Sequence, residues 1–310
     1  MTTSRRSRTE SSFRISLPAT SANLGPAFDA AALAFDLYLR IEAKPADEYS
    51  IRASGRDEAI CGSLENHLIL TTYQDVLWSA GKTAIPLTLK IENEIPIGKG
   101  CGSSAAARLA GIALANHYGR LRWTDARIVG EASRREHHPD NASACWMGGL
   151  TVARMVSEFE AQVARIRPKG KWPLLLAVPP QPLSTEEARR VLPAQYSRAD
   201  AVTNVQNSML LLAAFQQGKP EFLGAALEDR IHQPYRAPLC PLLPAAKELS
   251  GTPGILGAAL SGAGPSVLMF LDPGSKLSAK KIAARVAAHF NKKGLSAELL
   301  LSSIAEKGAS

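Results

Sequence analysis

Pro96-Ile97-Gly98-Lys99-Gly100-Cys101-Gly102-Ser103-Ser104-Ala105-Ala106 joins an apolar strand pattern to an alanine-rich helix pattern. Glycine stands at the alternate positions 98, 100 and 102. Glycine tolerates positive φ, so successive backbone N–H groups there can turn inward. Two serines then open the helix, where orphan N–H groups and the helix dipole favour an anion. A serine hydroxyl at that place is also a hard oxygen donor suited to Mg²⁺. The stretch is not a Walker A loop, because no Gly-Lys-Ser/Thr is present and Lys99 sits inside the loop. It is not a Rossmann fingerprint either, since no acidic residue follows at the proper distance after a second strand. On physical grounds it suits a nucleoside triphosphate, with Lys99 either neutralising phosphate charge or standing as an exposed loop lysine.

Working outward, residues 85–91 alternate as a strand and residues 103–117 have the composition of a good helix, stopped by Gly119. Upstream, residues 13–17 and 37–41 read as strands, with a loop over 18–28, and residues 66–80 read as a helix. Downstream, Thr124 is a plausible N-cap for a helix to about residue 135. Residues 137–149 read as a loop of polar and small residues with room for a short helix. Strands are expected over 150–155, 161–166 and 174–178, and helices over 184–191, 199–216, 220–229 and 242–249. The end alternates: strands 255–260 and 266–271, an amphipathic helix 276–291, and a last strand 297–301. Strand and helix mix without strict βα alternation, so the fold class expected is α+β. A boundary is expected near residues 165–172.

The chain has 310 residues, 45% of them apolar, which is enough to bury a proper core and excludes wholesale disorder. Its formal net charge is +8. Nucleic-acid binding would need clustered cations and aromatic platforms, but only 6% of residues are aromatic and the Lys and Arg are scattered. No apolar run has the length of a membrane helix. Residues 1–12 carry three arginines against one glutamate without an apolar stretch, so a frayed tail is expected rather than a secretory signal. Cys61, Cys101, Cys145 and Cys240 form no CxxC pair and read as buried, reduced thiols of a cytoplasmic protein. Adjacent His137 and His138 lack the further ligands a metal would need, so they read as loop-structuring residues.

Two more segments suit a ligand cleft. Thr20-Ser21-Ala22-Asn23-Leu24-Gly25-Pro26-Ala27-Phe28-Asp29 is a turn-rich loop, and Leu260-Ser261-Gly262-Ala263-Gly264-Pro265-Ser266 is a glycine turn between apolar strands. Together with residues 96–106, and in this order, they resemble the GHMP small-molecule kinase superfamily. The resemblance is closest to its homoserine kinase branch. That branch's first signature, roughly PATSANLGPGFD, is matched by residues 18–29, and its PxxxGLGSSAA loop by residues 96–106. Its HPDN motif is His138-Pro139-Asp140-Asn141. Ser184-Thr185-Glu186-Glu187-Ala188-Arg189 and His232-Gln233-Pro234-Tyr235-Arg236 match further motifs of the same branch. Ala27 replaces the usual Gly and Cys101 the usual Leu or Met, and residues 131–137 are bulkier and more charged than is common there.

The resemblance implies a two-lobe GHMP kinase-like fold. Its N-terminal lobe (13–168) resembles ribosomal protein S5 domain 2, and its C-terminal lobe (169–310) is ferredoxin-like. It implies transfer of the γ-phosphoryl group of ATP to the side-chain hydroxyl of L-homoserine, and a homodimer. ATP would lie on residues 96–106, with Ser104 and Glu131 at Mg²⁺ and Asn66 near the adenine. Asn66 reads equally as a helix N-cap. Homoserine is a zwitterion, so its site needs opposite charges held apart. Arg189 and Arg236 would grip the carboxylate, Asp29 the ammonium, and Asn23, Asp140 and Gly264 the rest. Catalysis would fall to Ser104, Asp140 and Asn141. Either Asp140 accepts the proton, or the phosphate takes it while Asn141 holds the transition state. Another GHMP kinase acting on a different small alcohol, and a catalytically inert relative, are the alternatives at this point.

Overall fold

In the computed structural model, which describes residues 12–310, two sheets share one apolar interior. The tail expected over residues 1–12 lies outside the described residues, Ser12 excepted. The first half of the chain runs β1 (Phe13–Ala22), β2 (Ala31–Pro45), β3 (Ser50–Gly55), α1 (Glu58–Gly62), α2 (Leu68–Ser79) and β4 (Leu87–Asn93). Then follow α3 (Ser103–Tyr118), α4 (Asp125–Glu136), α5 (Asp140–Met147), β5 (Leu150–Met155) and β6 (Ala161–Ile166). Strand β2 organises this half. One edge carries β1 antiparallel along its length. The other edge is divided, with residues 39–45 pairing β4 and residues 31–33 pairing β5. β3 adds to β4 in parallel and β6 to β5 antiparallel.

The burial of β2 changes along it for a reason in the sequence. Leu39, Ile41 and Ala43 are buried in strict alternation, as for a sheet with one covered face. The N-terminal end reads Ala-Ala-Leu-Ala-Phe and is buried on both faces. Its small residues Ala32 and Ala34 let Ala144 of α5 and Ala305 of the chain's end approach closely. Residues 18–22, expected as loop, belong to β1, with a bulge between Pro18 and Ala19. Their small and polar composition hides a strand whose pairing comes entirely from β2. Strand β3 and helix α1 were not expected, because β3 carries few apolar residues and forms only by parallel pairing to a strand far along the chain. The expected loop at 137–149 contains the helix α5.

The second half runs β7 (Leu174–Val178), α6 (Thr185–Arg190), α7 (Arg198–Gln217), a 3₁₀ turn (Pro220–Phe222), α8 (Leu223–Ala226) and α9 (Gln233–Arg236). Next come α10 (Leu242–Lys247), β8 (Ile255–Leu260), β9 (Val267–Leu271), α11 (Ala279–Lys292) and β10 (Glu298–Ser302). The sheet order β10-β7-β9-β8, all antiparallel, is that of the ferredoxin-like lobe the resemblance implies. The single helix expected over 220–229 is instead the 3₁₀ turn and the one-turn α8. Helix α11 is capped by Ser278, whose hydroxyl accepts the Lys281 N–H, and buries Ile282, Val286 and Phe290 at helical spacing.

β7 is buried on both faces, which explains its unbroken apolar sequence. Leu174, Leu176 and Val178 join the interior of the first half, and Leu175 and Ala177 face a second core with α10 and α11. Each fully buried aliphatic side chain contributes about 1.5–3 kcal/mol, so several such residues bind the two lobes into one body. The chain's end strengthens this. Beyond β10, Ala305 donates its N–H to Ala34 and accepts that of Gly149 in the first half. Among the described residues, no helix is long and apolar enough to cross a membrane.

Candidate active site

The glycine loop between β4 and α3 takes the shape its sequence predicts. Gly98, Gly100 and Gly102 have φ of 68°, 75° and 72°. Gly102 directly precedes α3 and offers no side-chain cap, so the first-turn N–H groups are left for an anion. Close approach also demands glycine. A Cβ on Gly102 would lie 1.9 Å from Thr20 Oγ1, and one on Gly100 2.2 Å from the Ser261 carbonyl oxygen. Those contacts belong to the other two motif segments, which interlock with the loop. Thr20 N–H donates to Cys101 O (3.1 Å), Ser261 Oγ to Gly100 O (2.7 Å), and Asn23 Nδ2 to Gly262 O (2.8 Å). Gly264 packs beneath the loop, with its carbonyl oxygen 2.6 Å from where a Gly100 Cβ would stand.

The departures noted in the sequence are accommodated. Ala27 is buried and does not have positive φ, so its methyl costs no backbone strain. Cys101 is fully buried, and burial pushes its thiol up to about 12, which makes it a neutral packing group. Of the two readings of Lys99, the structure favours the one without a phosphate contact. Its Nζ donates to the Pro180 carbonyl rather than turning to the start of α3.

Beside the loop opens a cavity of about 680 Å³, within the range of small-ligand sites. Ser103, Ser104, Asn66, Ile60, Asn93 and Ile97 are among the residues that line it. Asn66 is in left-handed conformation at the cavity wall, and the residue preceding α2 is His67, so the N-cap reading of Asn66 does not hold.

The carboxylate at Ser104 is not the one expected. Ser104 Oγ donates to Glu136 Oε1 at 2.6 Å, and Arg108 Nε donates to the same oxygen at 2.6 Å. Glu131 is instead held by Arg134 and Arg135, both at 2.8 Å, with Arg127 at 3.8 Å. Burial alone would raise the Glu131 pKa, but the two arginine hydrogen bonds outweigh it and hold the group below the usual carboxylate range. The reason is helix geometry. Five residues along an α-helix is a rotation of about 140°, so Glu131 and Glu136 cannot both face the start of α3. Glu136 ends α4, next to the His137 that terminates it in left-handed conformation. The only sequence signal for it was its place immediately before the His-His-Pro-Asp-Asn run.

A polar cluster lies across Thr20 from the loop. Thr20 Oγ1 donates to Asn141 Oδ1 (2.7 Å), and Asn141 N–H to Asp140 Oδ1 (2.6 Å). His138 Nδ1 lies 2.6 Å from the same Asp140 oxygen, and both side chains are buried. Burial alone would lower the His138 pKa, but hydrogen bonding and charge from Asp140 outweigh it and raise it. His137 is exposed, so the two histidines do not converge. Asp29, His138 and Asp140 are near enough for a metal, but Asp29 is clasped by Arg189 at 2.6 and 3.0 Å and Asp140 by His138.

The opposite charges expected to be held apart are therefore paired, as partly buried ions must be to offset lost hydration. Asn23, expected at the substrate, spends its amide on the chain. Its Oδ1 accepts Asp29 N–H (2.9 Å) while Nδ2 holds Gly262. Arg236 is 1% exposed and donates to Ala188 O (2.9 Å) and His232 Nδ1 (3.2 Å). Since that ring nitrogen accepts, His232 is neutral with its proton on Nε2, which donates to Gly25 O at 2.7 Å. Burial agrees, pushing His232 down to about 4 and Arg236 down to about 10. The Phe28 ring lies 5.4 Å from the Arg189 guanidinium and 5.3 Å from that of Arg236, gathering both cations at one place.

The glycine loop, the cavity beside it, the Ser104–Glu136 pair and the charged pocket sit on one interlocked frame. Residues 67–149 match the family described as GHMP kinases N terminal domain, and residues 211–292 match GHMP kinases C terminal. The chain belongs to the GHMP kinases. Its full-length relatives include the homoserine kinase of Solibacter usitatus, 42% identical over 97% of this chain and 98% of the relative. The homoserine kinase of Deinococcus radiodurans is 38% identical over 84% of each. In fold it is similar to the crystal structure of homoserine kinase from Cytophaga hutchinsonii, with TM-score 0.80, 24% identity and 96% of each chain covered.

Proposed function

We propose that this protein transfers the γ-phosphoryl group of ATP to the side-chain hydroxyl of L-homoserine, giving O-phospho-L-homoserine and ADP, a step of threonine biosynthesis. The observation that carries the reading is Thr20, whose N–H donates to Cys101 O of the glycine loop while its hydroxyl donates to Asn141, beside the pocket of Asp29, Asp140 and Arg189. A phosphate on the loop and an alcohol in the pocket would meet there. Phosphoryl transfer needs positioning and charge neutralisation more than covalent help. The adenine takes the cavity beside Asn66, and the phosphates take the N–H groups of residues 98–106.

Ser104 and Glu136 would hold Mg²⁺. A hydroxyl and a carboxylate sharing one hydrogen bond beside an anion-binding helix start are the hard oxygen donors that ion takes. Bound there, it would neutralise charge developing on the phosphates. The zwitterionic substrate exchanges the internal Asp29–Arg189 pair for two of its own, with its ammonium on Asp29 and its carboxylate on Arg189, next to Arg236. Asp140 faces the hydroxyl, oriented by His138, and accepts its proton as the oxygen attacks the γ-phosphorus and the bond to ADP breaks. Asn141, held by Thr20, steadies the transferred group. Asn23 and Gly264 shape the loop around these groups. The homodimer implied by the resemblance is part of this reading; light scattering showing a single chain's mass at working concentration would remove it. The four free, buried cysteines suit a reducing cytoplasm.

A coupled ADP-release assay over homoserine, mevalonate, galactose, threonine and serine tests the reading. Turnover is expected on homoserine above all others. Turnover of mevalonate or galactose with none on homoserine would overturn the substrate while leaving the phosphate loop intact.

A further inference from the structure

Arg108 lies one helical turn beyond Ser104 on α3, the spacing at which two side chains share a face. Both reach one atom, since Ser104 Oγ and Arg108 Nε each donate to Glu136 Oε1 at 2.6 Å. The pair is poorly exposed, with 25% of the Arg108 side chain and 13% of the Glu136 side chain accessible, so solvent and salt screen it weakly. Glu131 has its own arginines, and Lys99 is turned onto Pro180. Arg108 is thus the cation that the described structure ties to the Ser104–Glu136 pair.

We propose that Arg108 is a built-in counter-ion for the divalent-cation site, holding Glu136 against Ser104 and competing with the metal for that carboxylate. The proposal rests on the phosphotransferase reading and its placement of Mg²⁺. An ion entering between Ser104 and Glu136 meets a guanidinium already on the oxygen it needs. The protein then gives the ion only the difference between two attractions. This keeps the pair assembled and neutral, and it weakens the site for a bare cation. Arg108 acts through Glu136 and is a positioning residue, not a catalytic one.

Binding of Mn²⁺ alone to the full-length protein, read as loss of the free-ion electron paramagnetic resonance signal, tests this. Removing the competitor in Arg108→Ala should tighten Mn²⁺ about tenfold, a coupling usual between interacting sites. A gain of affinity in a variant that melts at the wild-type temperature cannot come from a damaged fold. Arg108→Gln, which keeps a donor to Glu136, should show the same gain should the alanine variant not fold. Arg108→Lys keeps the charge and should stay near wild type. In Glu136→Gln, Mn²⁺ binding should weaken. Weakened binding in Glu136→Gln with unchanged or weaker binding in both Arg108→Ala and Arg108→Gln would overturn the role of Arg108 alone. Unchanged binding in Glu136→Gln would overturn the metal placement and the proposal with it.

Discussion

The glycine loop and the pocket of Asp29 and Asp140 meet through Thr20, whose N–H donates to Cys101 O and whose hydroxyl donates to Asn141, yet they are built in opposite ways. The loop is made of backbone. Its turns come from three glycines at positive φ, and its contacts with neighbouring segments run largely through main-chain atoms. The pocket is made of side chains. Asp29 pairs with Arg189, Asp140 with His138, and Arg236 with the neutral His232, joining side chains from distant stretches. A backbone site therefore has no room for an added methyl group. A side-chain site tolerates small changes of volume but not the loss of one polar partner.

The largest expected effect breaks the loop. Gly102→Ala sets a methyl 1.9 Å from Thr20 Oγ1 at a φ that L-residues avoid, at a cost of about 1–3 kcal/mol in backbone strain alone. Calorimetry should find ATP binding lost and the melting temperature lowered; near-normal ATP affinity would mean the loop is not a backbone site. Next comes the pocket. Asp140→Asn should lower kcat/KM about 10²–10³-fold, the scale of a general base. A change within about twofold, worth some 0.4 kcal/mol, would take Asp140 out of the chemistry.

The two carboxylates of α4 separate activity from stability. Glu136→Gln should cut turnover about 100-fold, the scale of one electrostatic partner lost at the transition state, with a smaller drop in melting temperature than Glu131→Gln, because it leaves one arginine rather than three short of its carboxylate. Glu131→Gln should do the reverse. It takes the shared carboxylate from Arg127, Arg134 and Arg135, at about 2 kcal/mol once their partial exposure is discounted, while turnover stays near wild type. If Glu131→Gln proved the inactive variant, the assignment of the metal carboxylate would be reversed.

The smallest effect is on pH. Because Asp140 raises the His138 pKa, their pairing contributes stability fully below the ordinary imidazole value of about 6.5 and loses it as pH rises through the higher folded value. The melting-temperature gap between wild type and His138→Gln should be widest near pH 6 and shrink toward alkaline pH. A gap that does not vary with pH would show that His138 works by shape alone.

The elements legible beforehand were those whose signal is local. The strand before the loop, α3 with its Gly119 stop, Thr124 capping α4 and the amphipathic α11 all carry a periodic pattern or a cap within a dozen residues. What was missed depends on partners. Residues 18–22 look like a turn and form a strand because β2 lies beside them, and β3 exists only through β4. In the site, Asp29, Asp140, Arg189 and Arg236 were legible as charged residues in recognisable motifs. That Arg189 would close on Asp29, that Asn23 would be spent on backbone, and that Arg108 would share Glu136 were not.

The sequence by itself determined the shape of the glycine loop, because alternate glycines and a serine-led helix specify φ angles and free N–H groups without reference to anything distant. It also determined the kinase family through motifs whose order survives along the chain. Only the tertiary structure decided which carboxylate meets Ser104 and which cation answers which acid. Those choices depend on the rotation of α4 against α3 and on the approach of residues far apart in sequence. A side chain's partner is set by direction and distance in space, which no local spacing records.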